Sequence, residues 1–450
     1  MRWLASMAIL VLCAAFAAAQ ETTGGIQGVV TDPSGAAIPN ATVEISGGPL
    51  PRPITLQTDG TGQFLQQQLP VGMYTVTVSA QGFSTVRKTD TPVVLGRATR
   101  VDFRLEVGKV TESVVVSAEA VLVDTTSSSS AVNVDKSFFD LIPKGRSFYD
   151  LINIAPGARN EGKSGGFQVD GASGSENAFF LDGVEVTNIQ TGVLSTQNRI
   201  PVEMVQQVQV KNGVMDAQYG GAMGGVVNAV VRSGTNEWHG MAGFYFDNDT
   251  LSARPRPTLE MDPTDDSRTR VRYFQNKLDD YSTWNPVFNI GGPILKNKLF
   301  YFGGFMPTLT TRSRTVTFLS NNQTSGYTRK DRQHYAANKI DFAPFSKLRM
   351  NMSWVWNPEY RRGQLPALQG TDSPNRDWAG LGYYRAGQIL SGQADYLATS
   401  KLILSFRGGY QFTNYTNNYA LSKTTFIYST SNLMYPDLPP AVRLTSTGWR

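Results

Sequence analysis

The chain has 450 residues, more than one ordinary domain holds, so two or three are expected. A hydrophobic content of 40% together with 43 glycines favours strands and turns over long helices. The net charge is +5 with no basic run, which removes any electrostatic case for nucleic acid as a partner. Residues 1–19 read as a secretory signal peptide. Arg2 supplies the positive end, Leu4 to Phe16 the apolar core, and Ala17, Ala18 and Ala19 a small-residue cleavage site. The one cysteine, Cys13, lies inside it behind Leu12, which does not suit a lipoprotein signal, so the processed chain has no thiol chemistry. No later stretch approaches the ~18 consecutive apolar residues of a transmembrane helix. A secreted chain of this kind is then soluble or a β-barrel, because only helices and closed barrels satisfy their backbone in lipid.

Residues 20–107 predict a β-sandwich. IQGVV, ATVEI, QFLQQQL, YTVTVSA and RVDFRLEV are short β-rich runs, separated by the turn segments DPSGAAIPN, TDGTGQ and PVGM. The spacing suits a seven-strand sandwich. GVVTDPSGAAIPNATVEI, TDGTGQF and LPVGMYTVTVSAQGF resemble the carboxypeptidase-regulatory-like domain over the whole segment. That name implies no peptidase activity here. A zinc site needs histidine ligands, and the only histidines are His239 and His334, both far downstream. No metal site and no cofactor are expected.

Residues 108–130 are a linker that ends in Ser and Thr. It contains ESVVV, Glu112, Ser113, Val114, Val115 and Val116. This run is either the last strand of the preceding domain or a strand offered to the sheet edge of a partner. Residues 131–235 mix helical and strand patterns. Phe148, Leu151, Ile152 and Ala155 share a helical face, and Pro143 and Pro156 end two helices. FQVDGA, AFFLDGVEV, VQQVQVKNG and GGVVNAVVRSG read as strands, giving a small α/β domain. Its glycine cluster, YGGAMGG, is not a phosphate-gripping loop. No Lys-Ser or Lys-Thr follows it, and the next run is a strand, so backbone crowding or a sharp turn explains the glycines.

Three runs in this domain, in order, resemble the plug of TonB-dependent outer-membrane receptors: LIPKGRSFYDLINIAPGA, FFLDGVEVTN and VQVKNGVMDAQYGGAMGGVVNAVVRSGTNEWHG. They place the plug motifs at Gly145, Arg146, Pro156, Gly157, Asp182, Gly183, Tyr219, Gly220, Gly224, Gly225, Asn228 and Gly234. Gln209 departs from the pattern at a strand position that is often acidic. The fused N-terminal domain and the NKLFYFGGF element look most like the Oar-like branch. The resemblance implies that residues 112–116 are the TonB box, gripped by the periplasmic protein TonB.

Residues 236–450 predict the start of a barrel. Only Tyr74, Tyr149 and Tyr219 precede this segment among the tyrosines, and every tryptophan beyond the signal peptide lies within it, as interfacial girdles require. Leu348, Met350, Met352, Trp354 and Trp356 face one way, and Lys347, Arg349, Asn351 and Ser353 the other. Leu402, Leu404, Phe406, Tyr410 and Phe412 oppose Lys401, Ser405, Arg407 and Gln411. Tiny breaks at 296–298, 344–347 and 398–401 alternate with long loops expected at 248–284, 310–334 and 358–386, the pattern of periplasmic turns and extracellular loops. About seven strands are expected, near 237–246, 285–295, 299–309, 335–345, 347–357, 387–398 and 401–415, with a possible eighth from 424. A plugged transporter barrel has ~22 strands, so the chain is expected to be an N-terminal fragment or a truncated product.

The fold expected is mostly β: a sandwich, a small α/β plug, then the first strands of an incomplete transmembrane antiparallel barrel. The function expected is energised import of an unidentified ligand, with an oligosaccharide or a peptide as the candidate classes, and with TonB, outer-membrane lipid and an extracellular ligand as partners. A surface adhesin or carbohydrate- or protein-binding module is the alternative. No enzyme is expected, because no acid–base pair, nucleophile–His pair or metal cluster can be assembled. Asp262, Asp265, Asp266, Arg268 and Arg270 form a loop charge run that suits ligand, calcium or plain solvation.

Overall fold

A computed structural model describes residues 22–108, 113–117, 129–417 with short internal gaps, 426–427 and 434–435. The expected signal peptide, Glu112, Gly220, Asp265, Asp266, Arg268 and most of the helix expected over 135–144 lie outside the described residues. The molecule is mostly β: among the described residues 61% lie in strands and 6% are helical.

The N-terminal sandwich holds β1 (Thr23–Thr31), β2 (Thr42–Gly47), β3 (Ile54–Gln57), β4 (Gln63–Pro70), β5 (Gly72–Ser79), β6 (Thr85–Val93), β7 (Ala98–Arg100), β8 (Phe103–Arg104) and β9 (Ser113–Ser117). One sheet runs β4–β1–β7, with β8 also on β1; the other runs β3–β2–β5–β6–β9. Strict alternation brings Val43, Ile45, Val76 and Val78 inward from the second sheet against Ile26, Val30 and Phe64 of the first. Tyr74 is buried at one end, donates its hydroxyl to the Pro70 carbonyl at 2.7 Å, and is pushed above the usual phenol range by burial.

The second unit holds β10 (Ser129–Asp135), β11 (Ala158–Asn160), β12 (Phe167–Val169), β13 (Ala178–Leu181), β14 (Val184–Glu185), β15 (Val205–Gly213) and β16 (Val226–Val231). Its main sheet runs β10–β15–β16–β13–β14. The helix expected over 147–155 is a 3-10 helix, Phe148–Ile154, and the four apolar residues assigned to one face are all buried. Ser147 and Asp150 cap it: the Ser147 N–H donates to Asp150 Oδ2 at 3.1 Å.

The third unit is one antiparallel sheet of long strands: β17 (His239–Asn248), β20 (Asp280–Leu295), β21 (Leu299–Thr317), β22 (Thr324–Phe345), β23 (Leu348–Trp356), β24 (Glu359–Arg362), β25 (Gly382–Thr399) and β26 (Leu402–Asn417). A separate hairpin, β18 (Thr258–Met261) with β19 (Val271–Phe274), occupies the first long loop. β24 resumes the path of β23 after Asn357 and Pro358, where proline has no N–H for the ladder. All seven expected strands are present but most are longer. The loop expected at 310–334 is instead mostly ladder, since β21 and β22 stay paired from Leu299↔Phe342 to Thr317↔Thr324. Residues 426–427 pair with 434–435 in a separate small sheet and add no strand to the wall.

The wall is inside out. Met350, Met352 and Trp354 are exposed on one face, while Ser353 and Val355 are buried on the other. Leu402, Leu404, Phe406 and Tyr410 are likewise exposed. The plug packs on the opposite face, and one apolar cluster runs from Phe179, Leu181 and Val208 of the plug to Phe302, Tyr335 and Ile389 of the wall.

Candidate functional site

Plug and wall meet through buried polar contacts as well as this shared core. Asp182 sits in the Asp-Gly turn after β13, with φ of +45°, and Gly183 follows at +79°. Asp182 Oδ1 accepts the Val231 N–H at 3.0 Å, which fixes the turn to β16. The same oxygen accepts from Lys339 Nζ at 3.3 Å, and Nζ also donates to the Val231 carbonyl at 3.1 Å. Lys339 is on β22 of the wall. The two side chains are only 7% and 5% exposed, so this ion pair is desolvated. Asp341 is two residues further along the same inward face and is also buried.

A second contact uses Arg146. Its guanidinium pairs with Glu203 and lies 3.2 Å over the ring of Tyr245 from β17. The Tyr245 hydroxyl donates to Glu203 Oε1 at 3.1 Å. A third contact is Asn357, whose amide donates to the Gln197 carbonyl at 2.7 Å and to Asn198 Oδ1 at 2.9 Å. Nearby, Arg199 lies 3.9 Å over the ring of Tyr149, whose hydroxyl is pushed above the usual phenol range by burial.

The motif glycines are sites of close approach. A Cβ on Gly225 would lie 2.9 Å from Val169, and one on Gly224 would lie 2.6 Å from Asn177 Oδ1, so crowding accounts for these two, whereas Gly221 has open space and a turn conformation with φ of +92°. Gly234 passes against the Tyr301 backbone where the chain leaves the plug for the wall. Gly145 leaves room for the Asp150 carboxylate, and Gly157 has φ of +77° beside Asp170. The Pro156 carbonyl accepts from Asn212 at 3.4 Å. Tyr219 packs on Phe180 at 5.7 Å, and Asn228 is buried opposite Phe180 and Gln209 in the sheet. These residues form one folded unit but no chemical centre.

Higher on the wall three carboxylates are each held by two donors: Asp279 by Arg312 and Arg314, Asp331 by Arg329 and Arg361, and Glu359 by Arg385 and Tyr383. Sequence reasoning missed Lys339, Glu203, Tyr245 and these arginines. The available signal was charge at inward positions of spanning strands, as in the run Lys339, Ile340, Asp341.

Residues 113–116 of the expected TonB box lie in β9, the edge strand of the second sandwich sheet. β9 runs parallel to β6, with Thr85 opposite Ser113, Arg87 opposite Val115 and Thr89 opposite Ser117. The sandwich itself touches both other units. The Leu95 N–H donates to Gln207 Oε1 at 2.8 Å, and Gln209 Nε2 donates to the Leu95 carbonyl at 2.7 Å.

Three family models match the chain: "Carboxypeptidase regulatory-like domain" at residues 25–106, "TonB-dependent Receptor Plug Domain" at 122–226, and "Outer membrane beta barrel domain" at 230–326. The TonB-dependent transporter Oar of Myxococcus xanthus is 32% identical over 272 residues, 58% of this chain and 24% of Oar. The ferrienterobactin receptor of Escherichia coli is 33% identical over 122 residues, 23% of this chain and 16% of that receptor. The probable siderophore receptor PirA of Acinetobacter baumannii is 28% identical over 195 residues, 39% of this chain and 22% of that protein. The crystal structure of the E. coli outer membrane transporter YddB superimposes with a TM-score of 0.47 at 14% identity, covering 62% of this chain and 38% of YddB. The chain thus spans about a quarter or less of the curated relatives it matches. The chain therefore carries, in this order, a carboxypeptidase regulatory-like domain, the plug domain of TonB-dependent receptors and an outer membrane beta barrel domain, and it is a homologue of the TonB-dependent transporter Oar.

Proposed function

We propose that the full-length protein is an importer energised by TonB, with residues 112–116 as the strand that TonB grips. The observation that supports this is a plug seated against the inner face of a membrane wall through a shared apolar cluster and the buried Lys339–Asp182 pair. A plug held so firmly needs work done on it before anything passes. Ligand binds from outside to the long strands and loops above the plug, and a periplasmic pull opens a path beside it. Two relatives are named as siderophore or ferrienterobactin receptors, so metal chelates join glycans and peptides as candidate cargo.

The test is Val115→Pro, which removes one backbone donor and fixes φ. Growth of cells that depend on the full-length receptor is measured on a panel of metal chelates, glycans and peptides, alongside surface binding of whichever compound supports growth. Uptake is expected to fall sharply while surface binding persists. Equal uptake by the variant refutes the grip and leaves the segment as a sandwich strand. An adhesin would be indifferent to the substitution.

A further inference from the structure

The sandwich sits across the periplasmic end of the plug and wall, and it touches three separate parts of them. Arg52 donates from Nε to the Asn297 carbonyl and from Nη2 to the Pro344 carbonyl, both at 3.2 Å, so one planar guanidinium bridges two neighbouring short turns of the wall. Arg407 of β26 donates to Gln68 Oε1 at 2.5 Å. On the plug, the Leu95 peptide is clamped by Gln207 and Gln209, which share one face of β15. Val71 and Leu95 close over Val230 in a small apolar cluster beside them.

Gln209 is the position where this sequence departs from an often acidic family pattern. Its amide donates to the Leu95 carbonyl and, at 2.9 Å, to Asn133 Oδ1. A carboxylate has no donor for either and would set like partial charges together. Glutamine is therefore what a docked sandwich requires here. The interface is hydrogen bonds and one small apolar cluster, the composition of a reversible contact between domains.

From these contacts we infer that the sandwich is a removable cover over the periplasmic mouth. Strand β9 is part of the cover, joined to β6 by five register pairs. A pull on β9 loads the sandwich before it loads the plug, and the cover leaves first. The second half of this inference rests on the TonB reading of residues 112–116; the cover itself does not.

Two measurements on the full-length protein test it, in a background from which every other cysteine of the processed protein has been removed. The first is maleimide labelling of Val71→Cys, which is buried under the cover, against Met73→Cys, which is 53% exposed on the same domain. Val71→Cys is expected to label much more slowly. Adding Gln209→Glu, or Arg52→Ala from the other side of the interface, is expected to speed it about tenfold through lost hydrogen bonds. Equal labelling of the two cysteines without these changes, or no acceleration by either, overturns the cover. The second is pulling on receptor in a supported bilayer with a magnetic bead that carries the periplasmic domain of TonB. An early extension step is expected in wild type and is expected to be absent in Gln209→Glu. An unchanged first step overturns the claim that the cover is lifted first. A bead that never attaches to wild type overturns the TonB reading, and with it the lifting, while the labelling result still decides the cover.

Discussion

Replacing Lys339 by Met keeps most of the side-chain volume and removes one charge. Asp182 is then left as a desolvated anion that retains only the Val231 N–H, with Asp341 buried on the neighbouring inward position. Removing one partner of a buried pair costs about 3–5 kcal/mol. Because the Val231 bond survives, the low end applies: about 3 kcal/mol, or roughly a hundredfold in the equilibrium for plug release. Asp182→Asn is milder, since Lys339 keeps the Val231 carbonyl and has Asp341 close by. The double variant removes both charges, and buried pairs replaced by neutral groups are often nearly neutral overall. The order expected is therefore Lys339→Met worst, Asp182→Asn intermediate, and the double variant closer to wild type than Lys339→Met. The assay is conductance of the full-length receptor in a planar bilayer titrated with urea, where loss of the plug opens the lumen. If the double variant opens as early as Lys339→Met, or if Lys339→Met opens with wild type, the pair is not what seats the plug.

Gly234→Ala places a methyl against the Tyr301 backbone and is expected to lower the same urea midpoint by the equivalent of about 1–3 kcal/mol. On intact cells an impermeant thiol reagent is expected to label a cysteine at Asn321, in the turn joining β21 and β22, or at Ser325 beside it on β22, and to spare one at Ser346; the opposite pattern reverses the orientation of the wall. Asp59 is held below the usual carboxylate range by the Thr61 hydroxyl first and then by the Gln63 N–H. A depressed folded value stabilises the turn above the ordinary carboxylate pKa, and that gain is lost as pH falls through the folded value. Hydrogen exchange at Thr61 and Gln63 is expected to speed up selectively in strong acid, and Asp59→Asn is expected to abolish that pH dependence.

Alternation made the wall legible where lipid lies on one side and the plug on the other, as in the run from Leu348 to Trp356. It failed over 310–334 for a physical reason. In β21 the run Thr310, Thr311, Arg312, Ser313, Arg314 and Thr315 is polar on both faces, and Thr328 to Arg332 on the facing strand is polar too, so no apolar stripe marks a strand there. The helix at Phe148 was legible from its buried face, but its tighter 3-10 winding was not, because three or four residues per turn bring the same few side chains inward. The plug motifs were recognisable as strings. The partner of Asp182 was not, since Lys339 is 157 positions away and a single inward lysine has no local signature. Gln209 was visible as a departure from pattern, but its meaning required knowing that Leu95 lies opposite. For 113–117 the sequence left two readings open, and β9 pairs with β6 as the final strand of the sandwich.

The continuous apolar cluster between plug and wall bears on the order in which the protein is made. Phe179, Leu181 and Val208 leave the ribosome well before Phe302, Tyr335 and Ile389, which complete their packing. During export the plug segment therefore crosses the periplasm with part of its oily interior uncovered. That surface stays uncovered until the later hairpins are in place, so the maturation of the plug is tied to that of the wall that receives it. Expressed without the wall, residues 129–235 would lose the wall's share of that cluster, Phe302, Tyr335 and Ile389 among it, so the isolated segment should behave as a loosely ordered, dye-binding globule.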